Sequence, residues 1–455
     1  MDSRAGAKYM LKVNELLRQL VVEVRRVRQT KASLIYCFNI MSTGENLSLF
    51  TAGFFTNNRQ RLRALVGNDD VIVITSNGLL QRGGDVPYFF QQDGNFWYLT
   101  GIDLPDIVLV MDRDSEYLIL PVRQFVREAF DGAINKKELA DRSGIQQILV
   151  GKEGWRLLRD RLQTVSRVAT CMNNPAYIKR LGFYTSPARH HLIQTMKRYR
   201  SGLQVRDIRN DLGRLRSVKQ PAELTALKQA INITVDTLQT ALQPKRRSSY
   251  KFEYELEAEI SYGFRRRGAM GHAFDPMIGA GRNAATIHSL ANASPVAPQD
   301  LVVVDVGAEV EHYDADITRT ISINRRPNAR QQAVYQAVLT VHKFALSLQK
   351  PGALMRDNER AVEEFLGRQL LELGLITTPI RNNIRRYFPH ATSHFLGIDP
   401  HDAGDYNQPL VPGVVLTVEP GIYIPEENLG ARIEDDILIT NQGFDNLSGR
   451  LSYDL

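Results

Sequence analysis

Two apolar runs in the second half of this 455-residue chain each stop on an acid, and this constrains the fold more than any other feature. Leu301-Val302-Val303-Val304-Asp305-Val306-Gly307 and Gly413-Val414-Val415-Leu416-Thr417-Val418-Glu419 read as strands buried on both faces. Each is followed by a second acid, Asp316 eleven residues after Asp305 and Glu434 fifteen residues after Glu419. A histidine precedes each run's acid, His288 by 17 residues and His401 by 18. Apolar spacing predicts helices over 222–242 and 251–266 ahead of the first run, and over 330–349 and 357–374 ahead of the second. Both halves therefore run helix, helix, histidine, apolar strand, carboxylate, second carboxylate. An internal duplication explains that order, although identity between the halves is low.

If each acid pair lies on adjacent antiparallel strands, duplicated halves bring Asp305, Asp316, Glu419 and Glu434 to one cavity. Carboxylates gathered in a low dielectric repel one another and protonate. Divalent cations remove that conflict. Taken singly, an Asp at a strand end is a turn residue or a helix cap, and the weight lies in the combination. Nine histidines occur in the chain, and His390, His394 and His401 fall within twelve residues, just before the Glu419 strand. One such histidine is a satisfied or surface residue on its own; three together point to a site. Four carboxylates and an imidazole suit a pair of Mn²⁺, Co²⁺ or Fe²⁺ ions, with Zn²⁺ admissible and Mg²⁺ less favoured because of the histidine.

Length implies two domains. Val71-Ile72-Val73-Ile74, Ile107-Val108-Leu109-Val110 and Tyr117-Leu118-Ile119-Leu120 read as buried strands, and helical patterns over 136–142 and 155–162 separate later ones. Residues 41–215 thus form an α/β domain with a polar, basic linker over 189–219, and residues 216–455 form the domain that carries the acids and histidines. The segment 89–101 is rich in aromatic residues, which composition alone assigns to a core cluster.

Residues 1–40 differ from the rest. Val13, Leu17, Leu20, Val24 and Val27 recur at three or four residues among arginines, the pattern of a basic amphipathic helix. It reads as a surface helix, an organelle-targeting leader, or an extension the protein can do without. Its three acids are unusual for a leader, Met41 offers an alternative start, and the dispensable extension is the preferred reading. This stretch holds eight of the basic residues and three of the acids, leaving 49 basic against 47 acidic side chains elsewhere. The body is nearly neutral, so the formal charge of +7 is no argument for a nucleic-acid partner. No run of about 18 apolar residues predicts a membrane helix. The two cysteines make neither a disulfide framework nor a Cys-rich zinc site, and a cytoplasmic location fits.

The segments around Asp305 to Thr320, His390 to Asp402, Glu419 to Tyr423 and Arg432 to Asp436 resemble the metal-site motifs of the pita-bread metallopeptidases. Asp93-Gly94-Asn95-Phe96-Trp97-Tyr98-Leu99-Thr100-Gly101 and Arg127-Glu128-Ala129-Phe130-Asp131-Gly132 narrow the resemblance to the aminopeptidase P family. Two departures stand out: Phe130 replaces a more usual Trp, and Gln92 a more usual Arg. The resemblance implies an α+β pita-bread catalytic domain with a pseudo-twofold duplication. It also implies five metal ligands: Asp305 on one ion, His394 and Glu419 on the other, and Asp316 and Glu434 bridging both. A hydroxide shared by the two ions, most readily Mn²⁺, would attack the scissile carbonyl. Glu419 is the implied general base, His288, His390 and His401 contact substrate and steady the tetrahedral intermediate, and Arg432 orients the network. The implied substrates are peptides with proline in second place, and the implied assembly is a homodimer or homotetramer.

Two other readings share these residues. A prolidase uses the same five ligands on Xaa-Pro dipeptides, but the long N-terminal domain favours aminopeptidase P over it, and also over a methionine aminopeptidase. A catalytically silent peptide-binding module would have lost ligands, and none is missing here.

Overall fold

Short β-branched runs between residues 71 and 207 assemble one six-stranded mixed sheet. β1 (Val71–Thr75) pairs antiparallel with β2 (Val108–Met111), which pairs antiparallel with β3 (Glu116–Leu120), and β4 (Gln147–Val150) adds to β3 in parallel. On the other side β5 (Arg167–Thr170) and β6 (Gln204–Asp207) follow in parallel, giving the order β4-β3-β2-β1-β5-β6. Every residue of β1 and β2 is buried, as unbroken apolar runs require of central strands. The chain is described here from a computed structural model over residues 48–455, except 68, 124, 174–181, 183–184 and 325. The basic helix expected within residues 1–40 lies outside the described residues.

The polar stretch 189–219 is more ordered than its composition suggests. It holds most of the helix Pro187–Tyr199, then β6, then the helix Arg209–Ser217. Leu192, Met196, Leu203, Ile208, Leu212 and Leu215 are buried, so sparse apolar residues suffice to dock it. The aromatic segment divides. Phe89 is fully exposed, whereas Phe96, Trp97, Tyr98 and Leu99 are core residues of α1 (Gly94–Thr100). The Asp93 carboxylate caps α1 by accepting from the N–H groups of Asn95 and Phe96, both at 3.0 Å, and Gly101 ends it in the left-handed region.

From Pro221 the order of elements repeats. Helices α2 (Pro221–Ala241) and α3 (Glu253–Arg266) precede an antiparallel sheet of β7 (Met277–Ala280), β8 (Leu301–Val306) and β9 (Ile317–Ser322). Helices α4 (Ala329–Ser347) and α5 (Met355–Glu372) precede β10 (Val415–Val418), the hairpin β11 (Gly421–Ile424) and β12 (Leu429–Arg432), then β13 (Asp435–Thr440) and β14 (Gly443–Asn446), with β10-β13-β14 forming one sheet. Gln220 and Glu223 make a capping box at α2, with Pro221 at the first helical position. Each helix pair covers its own strands. Ile231, Val235, Ile260 and Phe264 share a core with Val304 and Val306, while Val338, Val341, Val362 and Leu366 share one with Leu416 and Val418. Burying one such side chain contributes roughly 1.5–3 kcal/mol, so the strands that end in acids are anchored by their apolar residues. The architecture is an α/β domain followed by an α+β pita-bread domain with an internal repeat. Among the described residues no helix is long and apolar enough to cross a membrane.

Candidate metal centre

Strand register delivers the acids. In the β8–β9 pair Asp305 stands opposite Thr318, and Asp316 immediately precedes β9. In the β10–β13 pair Val418 stands opposite Asp435, so Glu419 leaves β10 where Glu434 enters β13. The two sheets are joined at this point. The Glu434 N–H donates to Thr318 O at 3.1 Å. The buried Arg319 donates through Nη1 to Thr318 O at 2.9 Å and Glu434 O at 2.6 Å, and pairs with Asp435 at 2.7 Å.

His394 arrives on a segment running beside β10. The Thr417 N–H donates to His394 O at 3.0 Å, the Glu419 N–H donates to Thr392 O at 2.8 Å, and Phe395 bridges antiparallel to Leu416. The His394 Nδ1 lies 3.1 Å from Phe395 O, which directs Nε2 at the acids. Nε2 is 3.5 Å from an oxygen of Asp316 and 3.5 Å from one of Glu419. Asp316, His394 and Glu434, all buried, each offer a ligand atom within 4.8 Å of the others.

Protein groups alone leave this cluster unsatisfied. Asp305 Oδ1 is buried without a hydrogen-bond partner, while its Oδ2 meets the Arg432 guanidinium. Burial, then the charges of Glu434 and Asp305, push the Asp316 carboxyl well above its usual range. Glu434 is raised likewise, by burial and then by Glu419. Glu419 is pushed up to about 8, chiefly by burial, with Arg432 opposing the shift. Burial, with His401 adding, takes the His394 imidazole down to about 3, so it is neutral and has a lone pair to give. A divalent cation relieves all of these penalties at once, and the donor set fits one.

Around the acids runs an unbroken hydrogen-bond chain. Thr318 Oγ1 donates to Glu434 at 2.6 Å and accepts from Arg432 Nε at 3.1 Å. Arg432 Nη1 donates to the Tyr423 hydroxyl at 2.8 Å, and that hydroxyl lies 2.8 Å from His390 Nε2. The His390 Nδ1 faces Ala391 O at 2.8 Å and so carries the ring proton, leaving Nε2 to accept from the hydroxyl; burial and Arg432 lower the pKa of this ring to about 3. The His401 ring stacks on His394 at 4.1 Å between centroids, and burial followed by the nearby His288 lowers its pKa. His288 is exposed in a turn close to both His390 and His401.

The structure thus brings the residues picked out from sequence close together, the ligands with His390, His401 and Arg432 by direct contact and His288 near His390 and His401. Others essential to this geometry carry little signal. Arg319, a charge within a buried strand, is the most visible clue; Thr318 and the Tyr423 hydroxyl sit in strands without any periodic mark.

Residues 225–441 match the family model for metallopeptidase family M24, and residues 55–169 match that for the aminopeptidase P N-terminal domain. Xaa-Pro aminopeptidase 3 of Homo sapiens is 31% identical over 404 residues, which span 82% of this chain and 77% of that protein. An Arabidopsis thaliana protein named intermediate cleaving peptidase 55, mitochondrial, is 29% identical over 436 residues, 91% of this chain and 83% of its own. The solved structure of Zn-substituted Escherichia coli aminopeptidase P in complex with product superposes with a TM-score of 0.78 at 28% identity, covering 89% of this chain and 96% of that one.

Proposed function

Because the chain belongs to metallopeptidase family M24, in its aminopeptidase P branch, it is a metal-dependent aminopeptidase, and we propose that it releases the first residue from peptides whose second residue is proline. The observation that carries this reading is the meeting of Asp316, His394 and Glu434 within 4.8 Å, with Glu419 3.5 Å from His394. Asp305, Asp316, His394, Glu419 and Glu434 would hold two divalent ions, most readily Mn²⁺, which when bound lower the pKa of water toward neutrality and polarise a carbonyl.

The remaining steps fall to the chain's own groups. Glu419, as a carboxylate, takes a proton from the attacking water and returns it to the leaving nitrogen. That nitrogen belongs to proline, a secondary amine that must be protonated as the bond breaks. His390, kept neutral by burial and by Arg432 and oriented by the Tyr423 hydroxyl, sits beside the acids to contact substrate and steady the tetrahedral intermediate. His288 and His401 line the approach and contact the peptide beyond the proline. Arg432 ties Asp305, Thr318 and Tyr423 into one rigid frame. The substrate's free α-amino group is drawn to the acidic cluster, which sets the cut one residue from the N-terminus.

The assembly is read as a homodimer or homotetramer. In support, a cavity of about 920 Å³ outside the metal centre is lined by the exposed Leu79, Val86, Tyr88, Phe89 and Val122. The compartment follows the fate of residues 1–40. It is the cytoplasm if they remain as an extension, and an organelle if they act as a leader.

Product analysis tests the activity. With added Mn²⁺, Ala-Pro-Ala should be cut fast, Ala-Pro slowly, and Ala-Ala-Ala or N-acetylated Ala-Pro-Ala hardly at all. Equal rates on Ala-Ala-Ala and Ala-Pro-Ala would remove the proline selectivity, and preference for Ala-Pro would turn the reading to a prolidase.

A further inference from the structure

Behind the histidines lies a buried charge cluster that the mechanism above leaves unused. The Asp402 carboxylate is 1% exposed and takes Lys219 Nζ on Oδ2 at 2.8 Å, with Lys219 itself 0% exposed. The Arg216 guanidinium, 2% exposed, meets Asp402 Oδ1 and also pairs with Asp399 at 2.6 Å. Lys219 further donates to Arg216 O at 2.7 Å, and Arg216 Nη1 donates to Asn95 in α1 at 2.8 Å. Arg216, Lys219 and Asp402 are buried and the half-exposed Asp399 balances the second cation at the rim, so good geometry among the three buried members is needed to offset desolvation.

The backbone of Asp402 explains what this cluster holds. Its N–H donates to Phe395 O at 2.8 Å, closing residues 395–402 into a ring. His394 and His401 are the residues directly before the two ends of that closure, and their rings stack at 4.1 Å. Space inside the ring is tight. A Cβ on Gly397 would sit 2.0 Å from Asp402 Oδ2 and 2.9 Å from Lys219 Nζ. The Gly397 carbonyl accepts from the Asp314 N–H at 2.8 Å, which ties the ring to the segment that carries Asp316.

We propose that Asp402 is a positioning residue, clamped by Lys219 and Arg216, that sets where His401 meets the substrate. This rests on the role given to His401 above. Lys219 and Arg216 lie at the junction between the six-stranded sheet's domain and α2, so the clamp also makes the placement of His401 depend on how α1 and the chain entering α2 are seated. Asp402 touches no substrate; it acts through the next residue back.

The test is a double-mutant cycle at saturating Mn²⁺ with Ala-Pro-Ala as substrate. Asp402→Asn should lower kcat by about 10- to 100-fold, in line with losses at residues that orient active-site ligands, and leave KM within about twofold. In a His401→Ala background the same substitution should have almost no further effect, because the group it positions is gone. Bound Mn²⁺ per chain, read by elemental analysis, should match the wild type in all variants. Asp402→Asn leaves a cation in excess in the buried cluster, so the charge-balanced Lys219→Met with Asp402→Asn serves as a second variant, expected to fold and to show the same dependence on His401. Losses that multiply in the His401→Ala background would overturn the proposal and leave the peptidase reading intact. A fully active His401→Ala enzyme would overturn both the role of His401 and the clamp that serves it.

Discussion

Glu434 is fastened to Thr318 twice, its N–H donating to Thr318 O at 3.1 Å and its carboxylate accepting from Thr318 Oγ1 at 2.6 Å. One residue of β9 thus sets both the backbone and the side chain of an acid that belongs to the other half of the repeat.

Thr318→Val keeps the shape of the side chain and removes the hydroxyl. Glu434 loses its donor and the Arg432 Nε loses its acceptor, both in buried surroundings. An unsatisfied buried polar group costs about 1–3 kcal/mol, so the denaturation midpoint should fall. Mn²⁺ affinity, measured by equilibrium dialysis, should weaken by about 10- to 100-fold, with Thr318→Ser near the wild type. Unchanged Mn²⁺ binding in Thr318→Val would show that the hydroxyl does not orient Glu434.

Asp316→Asn should lose metal and activity together, whereas Asp314→Asn should keep both. Asp314 is buried two residues away, but it stands opposite Glu309 and belongs to a different group of acids. Burial, then Glu309 and Asp399, raise its carboxyl well above the usual range, so the position disfavours a negative charge and accommodates a neutral amide. Elemental analysis after dialysis, with rates on the same samples, separates the two variants. Equal metal content would exclude the bridging role given to Asp316.

The acid opposite Asp314 carries a pH dependence with a definite sign. Glu309 is raised to about 7, by burial first and then by Asp103 and Asp399. The folded state therefore holds a proton that the unfolded state releases nearer pH 4.5. Its contribution to stability falls as pH rises from that value to about 7, and then levels. Glu309→Gln removes this dependence and should be more stable than the wild type at pH 8 by up to about 3 kcal/mol, because each tenfold gain in proton affinity on folding is worth ~1.4 kcal/mol. The gap should close near pH 4.5. Urea titrations at both pH values decide it, and a constant offset between the two proteins would refute the assignment.

Removal of residues 1–40 should leave a folded and active enzyme, since the family matches begin at residue 55. An insoluble or inactive truncation, under conditions where the full chain works, would show that the extension belongs to the fold.

Asp305 and Glu419 are legible in the sequence because each ends an apolar run that becomes a central strand, and Asp316 and Glu434 because each follows one of them at a matching place in the repeat. Helix limits follow from spacing: the pattern predicts 222–242 and Pro221–Ala241 is found. What stays hidden depends on contacts between residues far apart in the chain. Nothing local distinguishes Lys219 from a surface lysine, and only its meeting with Asp402, 183 residues away, buries it. The order within 189–219 is hidden for another reason. Its apolar residues are sparse and arginines dominate its composition, yet Leu192, Met196, Leu203, Ile208, Leu212 and Leu215 are enough to seat it.

Trp97 offers a use beyond its packing. The chain has two tryptophans, and they sit in different surroundings. Trp97 is 1% exposed, edge-on to Phe50, Phe55 and Tyr313, with the His312 ring 4.9 Å away, so residues of both sheet systems surround it. Trp155 is half-buried against Tyr199, within the N-terminal domain alone. Separation of the domains would wet the first indole and leave the second as it is. In a Trp155→Phe background, the emission wavelength becomes an intrinsic optical gauge of domain docking. A red shift that precedes loss of helical circular dichroism during a urea ramp would mark the two domains parting before either one unfolds.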